Sequence, residues 1–298
     1  MNPNMKTINN EKLIIEHAPF MHDNIGISKI MAEVIISLMP AVVVAAYYFG
    51  IDALNVMAVS VLSCILSEYL WQKFLKINVR INDLSAVVTG ILLALTLPPK
   101  TPLWIVCLGS IFSIVLVKQV FGGLGHNIFN PALAGRAFIQ VSWPHDISNW
   151  QMPATISDKA STFVINNQAG NIGEISLIAL FIAGIFLVLR KHIFAVIPIF
   201  YITTVAIGAF ACGENILFHA LSGGLFLGAI FMATDPVTSP LSGRGKLVFA
   251  FFCGILTLFL RVKGGLAESV YFSILIMNMA TPLIDKYTLS KPYGVGNI

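Results

Sequence analysis

Charge is what this chain has least of. Lys, Arg, Asp and Glu make up 11% of its residues, where soluble domains carry about 25%. With 57% hydrophobic residues and a mean hydropathy of +0.84, it cannot cover a water-facing surface. That excludes a large soluble domain and implies an integral membrane protein. Paired metal-ligand motifs are absent too. Cys64, Cys107, Cys212 and Cys253 each stand alone inside a hydrophobic run, so neither zinc nor an iron–sulfur cluster is expected within the chain, and all four read as small buried hydrophobes. His17, His22 and His126 show no ligand spacing and read as surface histidines near span ends. The opening MNPNMKTINNEKLIIEHAPFMHDN lacks the apolar core of a cleaved signal peptide, and none is expected. No nucleic-acid partner is expected either.

What is present is a series of apolar runs. A helix needs about 20 such residues to cross the hydrocarbon layer. Nine runs qualify as candidates, at 31–49, 56–75, 84–97, 103–117, 174–189, 194–211, 216–232, 247–260 and 266–284. Whether 127–141 is a tenth is decided by charge. With nine spans and the amino end inside, Lys and Arg divide 11 inside to 7 outside. If 127–141 crosses, they divide 13 to 4 with Arg136 inside the span, which obeys the positive-inside tendency much better. The fold expected is therefore an all-α polytopic membrane protein with about ten transmembrane helices and both termini cytoplasmic. Ten spans divide into two inverted five-helix halves. The parts expected are a cytoplasmic segment 1–30, a first half 31–142, an extracytoplasmic loop 143–173, a second half 174–285 and a cytoplasmic tail 286–298.

Each half carries a polar break, GGLGHNIFNPALAGR in the first and ATDPVTSPLSGRG in the second. Unpaired backbone is not tolerated against lipid, so such a break must line protein or a cavity. The first brings Asn127 and Asn130, whose amides both donate and accept. They serve equally well as glue between helices or as contacts for a ring with adjacent C=O and N–H groups. The second brings Asp235, costly at a span end unless paired or hydrated. Asp83 resembles it in the first half, and helix capping suits both. Glu68, inside the second span, needs a partner or water.

Four blocks, NDLSAVVTGILLALTLPPKTPLW, KQVFGGLGHNIFNPALAGRAF, MATDPVTSPLSGRGK and ILIMNMATPLIDKYTLSKPYG, resemble in sequence and order the RnfD family, the D subunits of Rnf complexes. Such a complex is an ion-translocating ferredoxin:NAD oxidoreductase, related to the sodium-pumping NADH:quinone reductase. The resemblance covers residues 17–294. It implies an electron-relay subunit of a Na⁺ or H⁺ pump in a bacterial or archaeal cytoplasmic membrane, not catalytic alone. Its partners would be the other Rnf subunits (A, B, C, E and G), a flavin transferase and membrane lipid. It also implies two cofactors: FMN joined through a phosphodiester to a threonine in an extracytoplasmic loop, and non-covalent riboflavin near the cytoplasmic side. The family's riboflavin contacts map to Asn127, Asn130 and Asp235.

The family's threonine motif, D-x-x-S-x-A-T-P-L, is altered here. In WPHDISNWQMPATISDKASTFVINN, Asp158 and Ser161 keep their spacing. Thr162 then follows at once, and Phe163 replaces the proline. Thr162 is the best acceptor, a chain without covalent flavin is the second reading, and Thr155 is the third. Two other functions compete with the relay: a small-solute channel of the urea or ammonia type, which has no use for the WP…DKAST loop, and a scaffold that has lost its covalent flavin.

Overall fold

The computed structural model describes residues 26–147, 171–221, 224–265 and 268–289. Every regular element among them is helical. Helices α1 (Ile27–Phe49) and α2 (Ile51–Phe74) are long and joined by Gly50 alone, at φ +63°. A glycine takes that backbone conformation without the steric penalty a side chain imposes. Helix α3 (Ser85–Leu95) has only 11 residues, a rise of about 16 Å. Pro98, Pro99 and Pro102 follow it and prevent its continuation. Helix α4 (Leu103–Ile111) widens into a π turn over Phe112–Gln119. Helix α5 (Pro131–Ser142) starts at a proline, with Asn130 capping its free N–H groups, and a short α6 (Pro144–Ile147) follows.

Beyond residue 170, a 3₁₀ turn (Ile172–Glu174) leads to α7 (Leu177–Leu189), α8 (Val196–Ala211) and α9 (Ile216–Leu221). A single turn, α10 (Leu225–Leu227), opens directly into a second π turn at Gly228–Met232. Helices α11 (Gly243–Val262) and α12 (Ser269–Thr288) complete the described chain.

The sequence implies ten spans. Three helices among the described residues, α1, α2 and α11, are long and apolar enough to cross a membrane, and four shorter ones, Ser85–Leu95, Leu103–Gln119, Leu177–Leu189 and Val196–Ala211, are apolar. The shortfall has a local cause. Expected span 84–97 stops at its proline run, and 216–232 is divided between α9, α10 and a π turn. Span 127–141 is helical only from Pro131, because Asn127 to Asn130 are not helical.

Large apolar side chains cover the outside, among them Leu62, Leu66, Leu70, Ile207, Phe210 and Met279, while Leu38, Leu93, Ile114, Leu133, Tyr201 and Phe249 fill the interior. An apolar exterior over an apolar interior belongs in hydrocarbon, where packing relies on close backbone approach. At Gly135 of α5 a Cβ would fall 1.8 Å from Ser113 Oγ and 2.9 Å from the Gly109 carbonyl. Helix α1 packs on α7, α5 on α12, α2 on α3 and α4, and α8 on α11. The cysteine expectation holds for two residues only. Cys64 and Cys253 are buried, Cys107 is half-buried and Cys212 is exposed, because α8 ends there at the surface.

Candidate functional site

The two polar breaks meet. Asn127 and Asn130 from the first, and Thr234, Asp235 and Pro236 from the second, line one cavity of ≈ 140 Å³. Its walls are mostly apolar, with Met31, Leu92, Leu187 and Phe231 among them. The cavity thus joins segments far apart in the sequence, closed by α1, α3 and α5 and by the second π turn. Apolar walls with a few polar groups at the edge are the usual form of a small-molecule site.

The amides do different jobs. Asn130 Oδ1 accepts from the N–H groups of Ala132 at 3.1 Å and Leu133 at 3.3 Å, so it is committed to capping α5. Its Nδ2 donates to the Met232 carbonyl at 3.4 Å, crossing from one break to the other. In the orientation that satisfies both ends of its amide, Asn278 of α12 accepts from the Asn130 N–H at 3.2 Å and donates to the Ile274 carbonyl at 3.3 Å. Asn127 is less committed: its Nδ2 donates to the Phe129 carbonyl at 2.9 Å, and its Oδ1 makes no hydrogen bond among the described residues. Asp235 closes a local turn, accepting from the Val237 N–H at 3.3 Å and from Thr238 Oγ1 at 3.1 Å.

Glu68 has its partner. Lys118, in the first π turn, donates to Glu68 Oε1 at 2.9 Å and Oε2 at 3.0 Å, and to Ser85 Oγ at 2.6 Å. Gln119 and Gln72 also donate to Glu68, at 2.7 and 3.3 Å. Asp83 accepts from the Ser85 N–H and hydroxyl at 2.9 and 2.7 Å, closing a turn just before α3, whose N-cap is Leu84. Lys118 and Ser85 both line the cavity, which makes this network its polar floor.

Sequence reasoning missed Lys118 and His192. His192 lines the cavity's rim, and its Nε2 lies 2.6 Å from Glu33 Oε2, with Arg190 at 3.5 Å from the same oxygen. Nothing in spacing links Glu33 with His192, 159 residues apart. His126 is exposed, as expected. Thr155, Asp158, Ser161, Thr162, His17 and His22 lie outside the described residues. No group of His, Cys, Asp and Glu able to hold a metal is present among the described residues.

Helices that face lipid, interrupted by polar breaks that converge on an interior cavity, define an integral membrane protein with a site inside the protein rather than on a soluble surface. Comparison with known proteins gives the family. Residues 14–294 match the model of the NQR2, RnfD, RnfE family, and the chain belongs to it. It is 42% identical over 98% of its length to the D subunit of the Na(+)-translocating ferredoxin:NAD(+) oxidoreductase complex of Acetobacterium woodii, of which 98% is covered. It is 37% identical to the D subunit of the Proton-translocating ferredoxin:NAD(+) oxidoreductase complex of Clostridium ljungdahlii, with 94% and 96% of the two chains covered. The D subunit of the Ion-translocating oxidoreductase complex of Methanosarcina acetivorans is 33% identical, with 93% and 95% covered. Membership makes the chain a membrane subunit of an Rnf-type redox pump, not an enzyme acting alone.

Proposed function

We propose that this chain is a flavin-bearing electron relay, passing electrons between neighbouring subunits while the complex moves Na⁺ or H⁺. The observation that carries this reading is the convergence of Asn127, Asn130 and Asp235, from two distant breaks, on one apolar cavity. The residues present suit a neutral flavin. Asn127 Oδ1 is available to a ring N–H, the walls are apolar, and Lys118 is held close by without an uncompensated charge. A flavin bound there supplies one- and two-electron chemistry, and the protein supplies its position and its exclusion of water. Asn127 orients the ring edge, Asn130 holds the two breaks together, and Asp235 shapes the second break's turn.

The relay reading includes FMN carried through a phosphodiester on Thr162, in a segment facing away from the cytoplasm, with both termini cytoplasmic. The partners are the other Rnf subunits, and a flavin transferase reads the threonine motif.

Two observations support the inverted five-helix halves. Gly90, Thr96, Pro98 and Pro102 recur at identical spacing as Gly228, Thr234, Pro236 and Pro240, each set closing an interrupted helix. The helices that open the halves, α1 and α7, pack together, as do those that close them, α5 and α12.

A narrower reading has its own observation. Asn130 uses its amide for capping and for Met232, which is the glue role rather than ligand contact. The assignment of Asn130 is therefore structural support for a pocket whose ligand contact is Asn127.

The covalent assignment is tested by fluorescence of the denatured chain after co-expression with its own transferase. Flavin fluorescence is expected in the wild type and in Thr155→Ala, and is lost in Thr162→Ala together with electron transfer by the complex. A wild-type chain without covalent flavin would move the reading to a scaffold.

A further inference from the structure

The far ends of α3, α5 and α12 hold a second buried polar cluster, away from the cavity. Its members are Arg136, Asn171, Glu174, Glu268 and Tyr271, all buried. Arg136 of α5 donates Nε to the Thr96 carbonyl at 2.9 Å and Nη1 to Gln140 Oε1 at 2.9 Å, and its Nη2 pairs with Glu268 Oε1. Asn171 Nδ2 donates to Glu174 Oε1 at 2.7 Å and stands 3.4 Å from Glu268 Oε1. The Tyr271 hydroxyl donates to Glu174 Oε1 at 3.4 Å. Two carboxylates are thus bridged by one amide, and one guanidinium is paired with one of them.

Glu174 is 5% exposed and has no Lys, Arg or His within ion-pair distance among the described residues. The other charged and titratable groups nearby are Arg261 of α11, which acts on Glu174 at longer range, and His219 of α9, whose carbonyl accepts from Arg261 Nη1 at 2.7 Å. A buried carboxylate without a contacting cation is costly as an anion and is relieved by a proton. Among the described residues, two buried acceptors of the cluster have no hydrogen-bond partner, Asn171 Oδ1 and Glu268 Oε2. Residues 1% and 6% exposed rarely leave such atoms unsatisfied without a reason. The backbone closes tightly over the site: at Gly224, φ +69°, a Cβ would meet the Tyr271 hydroxyl at 2.5 Å and Glu174 Oε1 at 3.0 Å.

We propose that Glu174 and Glu268, bridged by Asn171, form a proton-exchange site that holds one proton between two carboxylates. The exchange is a simple protonation and involves no redox partner. It does not depend on the flavin assignment.

The test is infrared spectroscopy of the whole purified complex, titrated with pH and repeated in heavy water. A protonated-carboxyl band, shifted by deuterium and erased at high pH, is expected in the wild type and absent in Glu174→Gln. That variant keeps an acceptor oxygen for Asn171 and Tyr271, so assembly is expected to survive. Glu268→Gln is the second variant. It removes the like charge and frees Arg136 to offset Glu174, so the band should disappear at lower pH than in the wild type. A band that persists in Glu174→Gln overturns the proposal, as does a band indifferent to Glu268→Gln. A band erased by sodium at constant pH would make the occupant an alkali cation and likewise overturn it.

Discussion

Replacing Lys118 with methionine probes the polar floor of the cavity most directly. The Nζ group makes three hydrogen bonds, to both oxygens of Glu68 and to Ser85, and both charged side chains are 2% exposed. Methionine fills the stem's volume but leaves Glu68 as a buried, unpaired carboxylate. Breaking a buried pair by removing one partner costs about 3–5 kcal/mol. Gln72 and Gln119 still donate to Glu68, which sets the expectation near the lower bound, about 3 kcal/mol, or roughly a 100-fold fall in the folded-to-unfolded ratio. Glu68→Gln alone should cost a similar amount, because it strands the ammonium. The double variant Lys118→Met/Glu68→Gln removes both charges and should recover most of the loss, since replacing a whole buried pair is close to neutral. The assay is a double-mutant cycle on denaturant-induced unfolding of the purified chain in detergent micelles. Losses that simply add in the double variant would refute the reasoning, for then the two charges do not depend on one another.

A single cysteine at Lys159 should label from outside and one at Lys246 from the cytoplasmic face; the reverse pattern would remove the span at 127–141. Asn127→Ala should lower riboflavin content of the purified complex severalfold at unchanged yield, since a lost hydrogen bond to a buried ligand costs about 0.5–1.5 kcal/mol. Asn130→Ala should instead lower chain stability, because losing an N-cap costs about 0.5–2 kcal/mol and the bond to Met232 goes with it. Equal riboflavin content in wild type and Asn127→Ala would contradict the contact assigned to Asn127.

Membrane residence was readable because it depends on composition, which no packing detail overrides. The positions of the breaks were readable for a related reason, since clustered Gly, Pro and Asn end a helix where a lone one, such as Pro40 in α1 or Pro282 in α12, does not. Helix length was not. The window 84–97 carries no charge, yet α3 ends at Leu95 because the prolines behind it withdraw N–H donors. The window 216–232 is mostly apolar and is split at Gly224. Partnerships were hidden for another reason. Glu68 announced that it needed a partner, but Lys118 stands 50 residues away and reads in the sequence as an ordinary span-flanking cation. Glu33 with His192, and Glu268 with Arg136, are separated further still. Only the tertiary packing of α2 against the first π turn, or of α5 against α12, brings such charges together.

The π turns also bear on how the chain tolerates changes of length. Their hydrogen bonds skip one residue more than in an α-helix: the Val120 N–H reaches the Val115 carbonyl at 3.0 Å, the Gly123 N–H reaches Lys118 at 2.9 Å, and the Ala233 N–H reaches Gly228 at 2.7 Å. An α-helix advances about 1.5 Å and 100° with each residue, so each wide turn stores one residue's worth of screw rotation. A single deletion within Phe112–Gln119 can be taken up by tightening the turn, without breaking the helix. It would nevertheless swing Lys118 away from Glu68 if it fell before Lys118. The same deletion in the regular part of α2 has no slack to draw on and must rotate everything beyond it. The extra residue is therefore a phase setting for the side chains below it, and the helix itself is indifferent to its loss.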